Sequence, residues 1–161
     1  MAGAIFLEID GIKGESHFKG HEGQIDVEAW SWGITQPAST HTGSGAGSGR
    51  ANVSDISIQH KLDKASPNLA KYCFTGKHIS KATLVQREAG GDETVPYLKV
   101  TLQDLIISSY NSGSGGEGKP IESITLNFAK IDVDYQEQDE SGKAKGGAVQ
   151  AKLDIKKNTA A

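Results

Sequence analysis

Ser66-Pro67-Asn68-Leu69-Ala70-Lys71-Tyr72-Cys73-Phe74-Thr75-Gly76 is the stretch on which the reading of this chain turns. It carries the signals of a helix at both ends, and the sequence on either side reads as strand. Ser66 can accept a backbone N–H as N-cap, and Pro67 stands at the first helical position, where its missing donor costs nothing. Gly76 supplies a left-handed stop, with Lys77 and His78 just beyond. Leu69, Tyr72 and Cys73 fall at i, i+3 and i+4, so one side of the helix, about Ser66 to Thr75, is apolar. A helix this short is marginal alone and must lie on a sheet. Cys73, the one cysteine, sits on that apolar side and reads as a packing residue; a lone cysteine excludes an internal disulfide framework.

Outward from the helix, apolar residues alternate with polar ones. Ile5, Leu7 and Ile9 make a first strand ending at Asp10-Gly11, and residues 14–23 form a polar loop. Between Ile25 and Ile34 the apolar parity changes, from Ile25, Val27 and Ala29 to Trp30, Trp32 and Ile34. Either a bulge re-aims the strand there or both of its faces are covered. Ile56, Ile58 and Leu62 mark a strand entering the helix, and Ala82 to Arg87 one leaving it. In the strand from Tyr97 to Tyr110, Leu98, Val100, Leu102 and Ile106 are expected to share a face. Ile124, Leu126 and Phe128 give way to Ile131, Val133 and Tyr135, a second parity change. Val149, Ala151, Leu153 and Ile155 close the pattern, and residues 156–161 read as a frayed tail. Short strands, turn signals and one helix predict a mainly β fold: a small antiparallel β-barrel or two-sheet sandwich with one flanking helix and a long glycine-rich loop.

At 161 residues the chain is long enough for one domain with its own core, and a single domain over 1–161 is expected. The net charge of −3 is evenly distributed and aromatics make up 6%, without a basic run, so no electrostatic footprint for nucleic acid is present. No window has the apolar length to span a bilayer, so membrane insertion is not expected. The N-terminal stretch lacks a basic region and meets Glu8 early, so the expectation is synthesis in the cytoplasm without a signal peptide.

Several motifs imitate chemistry. The 113–119 stretch has phosphate-loop glycine and lysine spacing, but Pro120 stands where Ser or Thr would ligate magnesium, and a strand follows instead of a helix. His17 and His21 are four apart in a setting too polar and glycine-rich for the helix that would aim both at one metal. Asp26 and Glu28 share a strand face at a separation of about 7 Å, a geometry that carboxylate pairs use in glycoside hydrolysis, but acids on a solvated face explain them as well. No G-x-S-x-G elbow occurs. These features carry no catalytic residue, metal or cofactor assignment, and the chain is not expected to be an enzyme.

The residues that do stand out are Gly14-Glu15-Ser16; Ile25-Asp26-Val27 with Ala29-Trp30-Ser31-Trp32-Gly33; Pro67-Asn68-Leu69 with Gly76-Lys77-His78; and Thr125-Leu126-Asn127-Phe128 with Val133-Asp134-Tyr135. Their order and spacing resemble the Hcp (haemolysin-coregulated protein) family, which forms the inner tube of bacterial type VI secretion systems. The resemblance implies a small β-barrel with one flanking helix, six subunits in a ring around a wide channel, and rings stacked into a tube. It further implies that a contractile sheath on a baseplate drives the tube and a spike protein into a target cell, with effector proteins carried in the channel. The protein would leave the cell by that route. Ser31, between two tryptophans, is the candidate lumen-facing contact with cargo. Thr40, His41, Thr42, Gly43, Ser44, Gly45, Ala46, Gly47, Ser48, Gly49 and Arg50 resemble the family's extended loop and are the candidate contact with the adjacent ring. The competing readings are a monomeric β-barrel ligand-binding module, which would need a cavity inside the barrel, and a tube protein fused to an effector enzyme, which would need an added domain.

Overall fold

The computed structural model describes residues 4–37, 50–88 and 95–161. Its elements are β1 (Ala4–Ile9), β2 (Ile25–Val27), β3 (Ala29–Ser31), β4 (Ile34–Thr35), β5 (Asn52–Val53), β6 (Ile56–Lys61), α1 (Ser66–Thr75), β7 (Ile79–Arg87), β8 (Leu98–Gly113), β9 (Ile121–Tyr135), β10 (Val149–Asp154) and β11 (Thr159–Ala160). The main sheet runs β11-β10-β9-β8-β7-β1-β2, with β6 bridging β9 and β3, and β4–β5 forms a separate ladder. Every pairing is antiparallel. The chain is therefore mainly β with one short helix.

Both parity changes mark strands that change partner. In the 25–31 segment β2 pairs with β1 and β3 with β6, and Glu28 N–H bonds Gln59 O at 2.8 Å where one pairing gives way to the other. Glu28 and Ala29 both face solvent, while Ile25 and Val27 before them are buried and Trp30 packs against the core. A local break at Glu28 thus re-aims the strand, and the hydrogen-bonded path β3-β6-β9-β8-β7-β1-β2 begins and ends on one continuous segment. β9 does the same on a larger scale: residues 121–126 pair with β6 and residues 130–135 with β10. Its core face passes from Leu126 and Phe128 to Ile131 at that junction.

One face assignment is overturned. Ile106 does not join Val100 and Leu102; it is exposed, and Leu105 and Ile107 are buried instead. Asp104, at φ 52, is the cause, because a left-handed residue in mid-strand rotates everything after it onto the opposite face. It lies across from Ala129, between the pairs Gln103↔Lys130 and Leu105↔Phe128, so the two longest strands change face together.

The helix ends as expected and begins differently. Gly76 is left-handed (φ 65, ψ 30), and the bonds Lys77 N–H to Tyr72 O and Gly76 N–H to Cys73 O complete a Schellman stop. Ser66 is not the N-cap: Ala65 holds that position, and no side chain caps the helix. The Ser66 hydroxyl is engaged elsewhere, accepting Asp63 N–H at 3.0 Å and donating to Glu122 Oε2 at 2.9 Å. Leu69 is fully buried, and Tyr72 and Cys73 pack against the same core; burying a leucine stabilises the docking by about 2 kcal/mol. The last residues are not frayed. β11 turns back on β10, and Lys152 and Ala161 exchange N–H···O bonds of 2.7 and 2.8 Å.

Candidate functional site: an uncharged hydroxyl face

The pairing registers place small polar residues in rows across four strands. Ser31 lies opposite Ser57, Ser57 opposite Thr125, and Thr125 opposite Ser109. The neighbouring row is Ala29, Gln59, Ser123 and Asn111. Strand alternation turns these residues outward because Ile58, Ile124 and Leu126 between them enter the core. Together they line a shallow concavity of about 360 Å³. Ser31, Ser57, Gln59, Asn111 and Ser123 are exposed. Ser31 projects outward while Trp30 turns inward, its Nε1–H bonded to Gln86 Oε1 at 2.9 Å.

The face is electrically quiet. None of the residues lining its concavity is charged. Asp55, just before β6, accepts from Ser108 Oγ at 2.6 Å and from Asn127 Nδ2 at 2.8 Å, so its charge is dispersed over two donors. Thr125 Oγ1 contacts the hydroxyls of Ser108 and Ser109 at 2.7 and 2.6 Å, where the β8–β9 register shifts. At the opposite rim Lys61 pairs with Glu28 at 3.7 Å, an exposed contact worth little by itself. The sequence had singled out only Ser31. The other outward residues were visible as the polar half of alternations, Ser57 and Gln59 on either side of Ile58 and Ser123 and Thr125 on either side of Ile124, but only the register joins them.

The remaining candidates separate. His17 lines an open cavity of about 710 Å³ with Glu15, Asp26, Glu28, Lys61 and Asp63, whereas His21 is buried and stacked on Phe6 at 4.1 Å. The two imidazoles do not share a site. Asp26 and Glu28 are solvated rim acids, and residues 113–120 simply join β8 to β9. Thr40 to Gly49 lie outside the described residues. Arg50, at the edge of that segment, bonds through Nη2 to the carbonyls of Ile155 and Lys156, tying it to the end of β10.

One cluster brings a serine, a histidine and acids together. Glu122 Oε2 lies 2.5 Å from His60 Nε2 and accepts from Ser66 Oγ, and His60 Nδ1 is 4.0 Å from Asp63 Oδ2. A nucleophilic triad needs the imidazole between hydroxyl and carboxylate, whereas here the carboxylate is in the middle and His60, Glu122 and Ser66 are buried. Burial holds the Asp63 carboxyl above its ordinary value, against the pull of the Ala65 N–H, and the charges of Glu15 and Glu122 raise it further. The Tyr110 phenol is also raised, by desolvation and then by Glu122.

Fold and face together define a mainly antiparallel β protein with one short helix and an uncharged, hydroxyl-rich concave face. A family model described as "Type VI secretion system effector, Hcp" matches residues 6–135. Protein hcp1 of Pseudomonas aeruginosa strain PAO1 is 46% identical over 162 residues, covering 100% of both chains. The crystal structure of Hcp1 from Salmonella typhimurium superposes with a TM-score of 0.83 at 37% identity, over 100% of each chain. A structure of a type six secretion system protein reaches 0.91 at 25% identity, covering 99% of this chain and 100% of that one. The chain belongs to the Hcp family of type VI secretion proteins.

Proposed function

We propose that this protein is the structural protomer of a type VI secretion tube, with residues 1–161 acting as one Hcp-like domain. In this reading six copies close into a ring and rings stack into a tube. Sheath contraction on the baseplate expels the tube behind its spike, and effector proteins travel in the lumen. The protein does no chemistry itself; assembly by symmetry is its mechanism. It is made in the cytoplasm and exported by the system that it builds.

The observation that carries the reading is the uncharged face of β3, β6, β9 and β8. A channel wall for cargo must be wettable, weakly adhesive and free of strong local charge, and outward hydroxyls meet all three conditions. Apolar side chains left on the surface supply contacts between copies: Val149 is 72% exposed beside its pair partner Tyr135 at 48%, and Ile34 and Ile121 are similarly open. The Arg50-tethered loop would reach the adjacent ring.

Light scattering after size exclusion, with negative-stain images of the same peak, tests the assembly. A particle of six times the 17.0 kDa chain mass with a central hole is expected. A monomer at high micromolar concentration would instead support the ligand-binding module. Ser31→Gln should lower cargo retention while leaving rings intact; loss of the rings would make Ser31 a packing residue.

A further inference from the structure

The most heavily built feature with no part in a tube wall lies behind the hydroxyl face. His60 on β6 and Glu122 on β9 are directly opposite in register, and each is 0% exposed. Their contact is an ion pair by distance, but its angle does not meet that of a hydrogen bond, and among the described residues Glu122 Oε1 and His60 Nδ1 have no hydrogen-bond partner. The groups facing the pair come from every neighbouring element. Ser66 of α1 donates to Glu122, Asp63 of the β6–α1 turn approaches Nδ1, and Tyr110 of β8 presents its phenol to Glu122. Glu15 of the 10–24 loop accepts Lys64 N–H at 2.7 Å and adds its charge to that around Asp63.

A buried carboxylate without a counter-charge is expensive, so the folded arrangement is coherent when Glu122 is ionised against a protonated His60. We propose that His60, Glu122 and Ser66 form a proton-operated latch that pins the start of α1 to the β6–β9 ladder and releases it in acid. Protonating Glu122 removes the counter-charge at 2.5 Å and weakens the bond accepted from Ser66. Asp63 cannot replace it: it stands 4.0 Å away, and burial favours its neutral form. The imidazolium then draws in water through the partly exposed turn at Leu62 to Lys64. The backbone ladder between β6 and β9 needs none of these side chains, so the opening is confined to the turn and helix.

Hydrogen exchange followed by mass spectrometry on the full chain, corrected for intrinsic rates, tests the latch between about pH 7 and about pH 3, a span that crosses the ordinary carboxylate range. The amides of 66–75 should lose protection about tenfold more than those of β7 and β8. In Glu122→Gln, and separately in His60→Gln, helix protection should be low already at neutral pH and nearly flat with pH. Ser66→Ala, the variant least apt to disturb folding, should lower helix protection at neutral pH and keep part of the slope. Asp63→Asn should leave the slope in place. Parallel loss of protection in helix and sheet, a wild-type slope in Glu122→Gln, or a slope abolished by Asp63→Asn alone would each overturn the proposal.

Discussion

Gly14→Ala is the sharpest test of how the loop before β2 is built. A Cβ at Gly14 would lie 2.4 Å from Gln24 O, 2.7 Å from Gln24 C and 2.8 Å from Ile25 Cα. All three are backbone atoms, so no side chain can swing aside. Retreat is also blocked, because Ile25 is 1% exposed and paired with Leu7 on β1. The loop would have to open, straining the bonds Gly14 N–H to Gly23 O at 2.8 Å and Ser16 N–H to Gln24 O at 2.9 Å. Two backbone hydrogen bonds at about 1 kcal/mol each, plus an overpacking cost of about 1–3 kcal/mol, give about 3–5 kcal/mol. At about 2–4 °C per kcal/mol for a chain of this size, the melting temperature should fall by about 6–20 °C. Calorimetry at one fixed protomer concentration is the assay, since self-association would otherwise move the midpoint. Gly33→Ala, where an added Cβ meets nothing within 4 Å and φ is not positive, is the control and should change stability by less than about 0.5 kcal/mol. A loss below about 1 kcal/mol in Gly14→Ala would show that the close approach is not a real constraint.

Asp104→Val should cost about 2 kcal/mol, because a β-branched residue resists the left-handed backbone at φ 52, whereas Asp104→Gly should stay within about 0.5 kcal/mol of wild type by urea unfolding. For Asp63, burial raises the folded-state pKa above its unfolded value, so its contribution is present in acid and lost as pH rises through the folded value. Asp63→Asn, whose side-chain oxygen can still accept the Ala65 N–H, should therefore raise the melting temperature at neutral pH by more than at pH 4, and equal shifts at both would refute the sign. Val149→Glu should leave the monomer's circular dichroism and melting within about 0.5 kcal/mol of wild type, as expected of a residue 72% exposed, while reducing the assembled fraction by light scattering.

Alternation carried most of the fold and half of the face into view from sequence. The helix was legible because its stop rests on local chemistry: Gly76 can take the left-handed conformation wherever the helix docks. Its start was misread because Ser66 has two competing uses, and the capping rule knows nothing of Glu122, which comes within reach only when β9 pairs with β6. The parity changes at Glu28 and Ala129 showed in sequence because aliphatic and aromatic residues switch sides there. The matching change in β8 was hidden, because Leu105, Ile106 and Ile107 form an unbroken apolar run and only the conformation of Asp104 decides which of them turns inward. The C-terminal hairpin failed for a similar reason: its two-residue return strand holds by main-chain bonds that leave no hydrophobic pattern.

The coincidence of Asp104 and Ala129 has a consequence for the hydroxyl face. Had β9 kept one parity throughout, Ser123, Thr125 and Asn127 would be followed outward by Ile131 and Val133, and Lys130, Asp132 and Asp134 would turn inward beside β10. The change of face at that level separates the two surfaces. One end of the hairpin presents serine, threonine and asparagine against β6 and β3, and the other presents charges against β10. In the proposed tube this separation sets how cargo is held. Each neutral hydrogen bond contributes only about 1 kcal/mol net, so retention would come from many such contacts around a ring and release would need no single strong bond to break. In that tube cargo retention would be insensitive to salt, because ionic screening acts on charges that this surface keeps out of its concavity. Retention that falls steeply between low and high ionic strength, with rings intact, would place the cargo contact on the charged end of the hairpin instead.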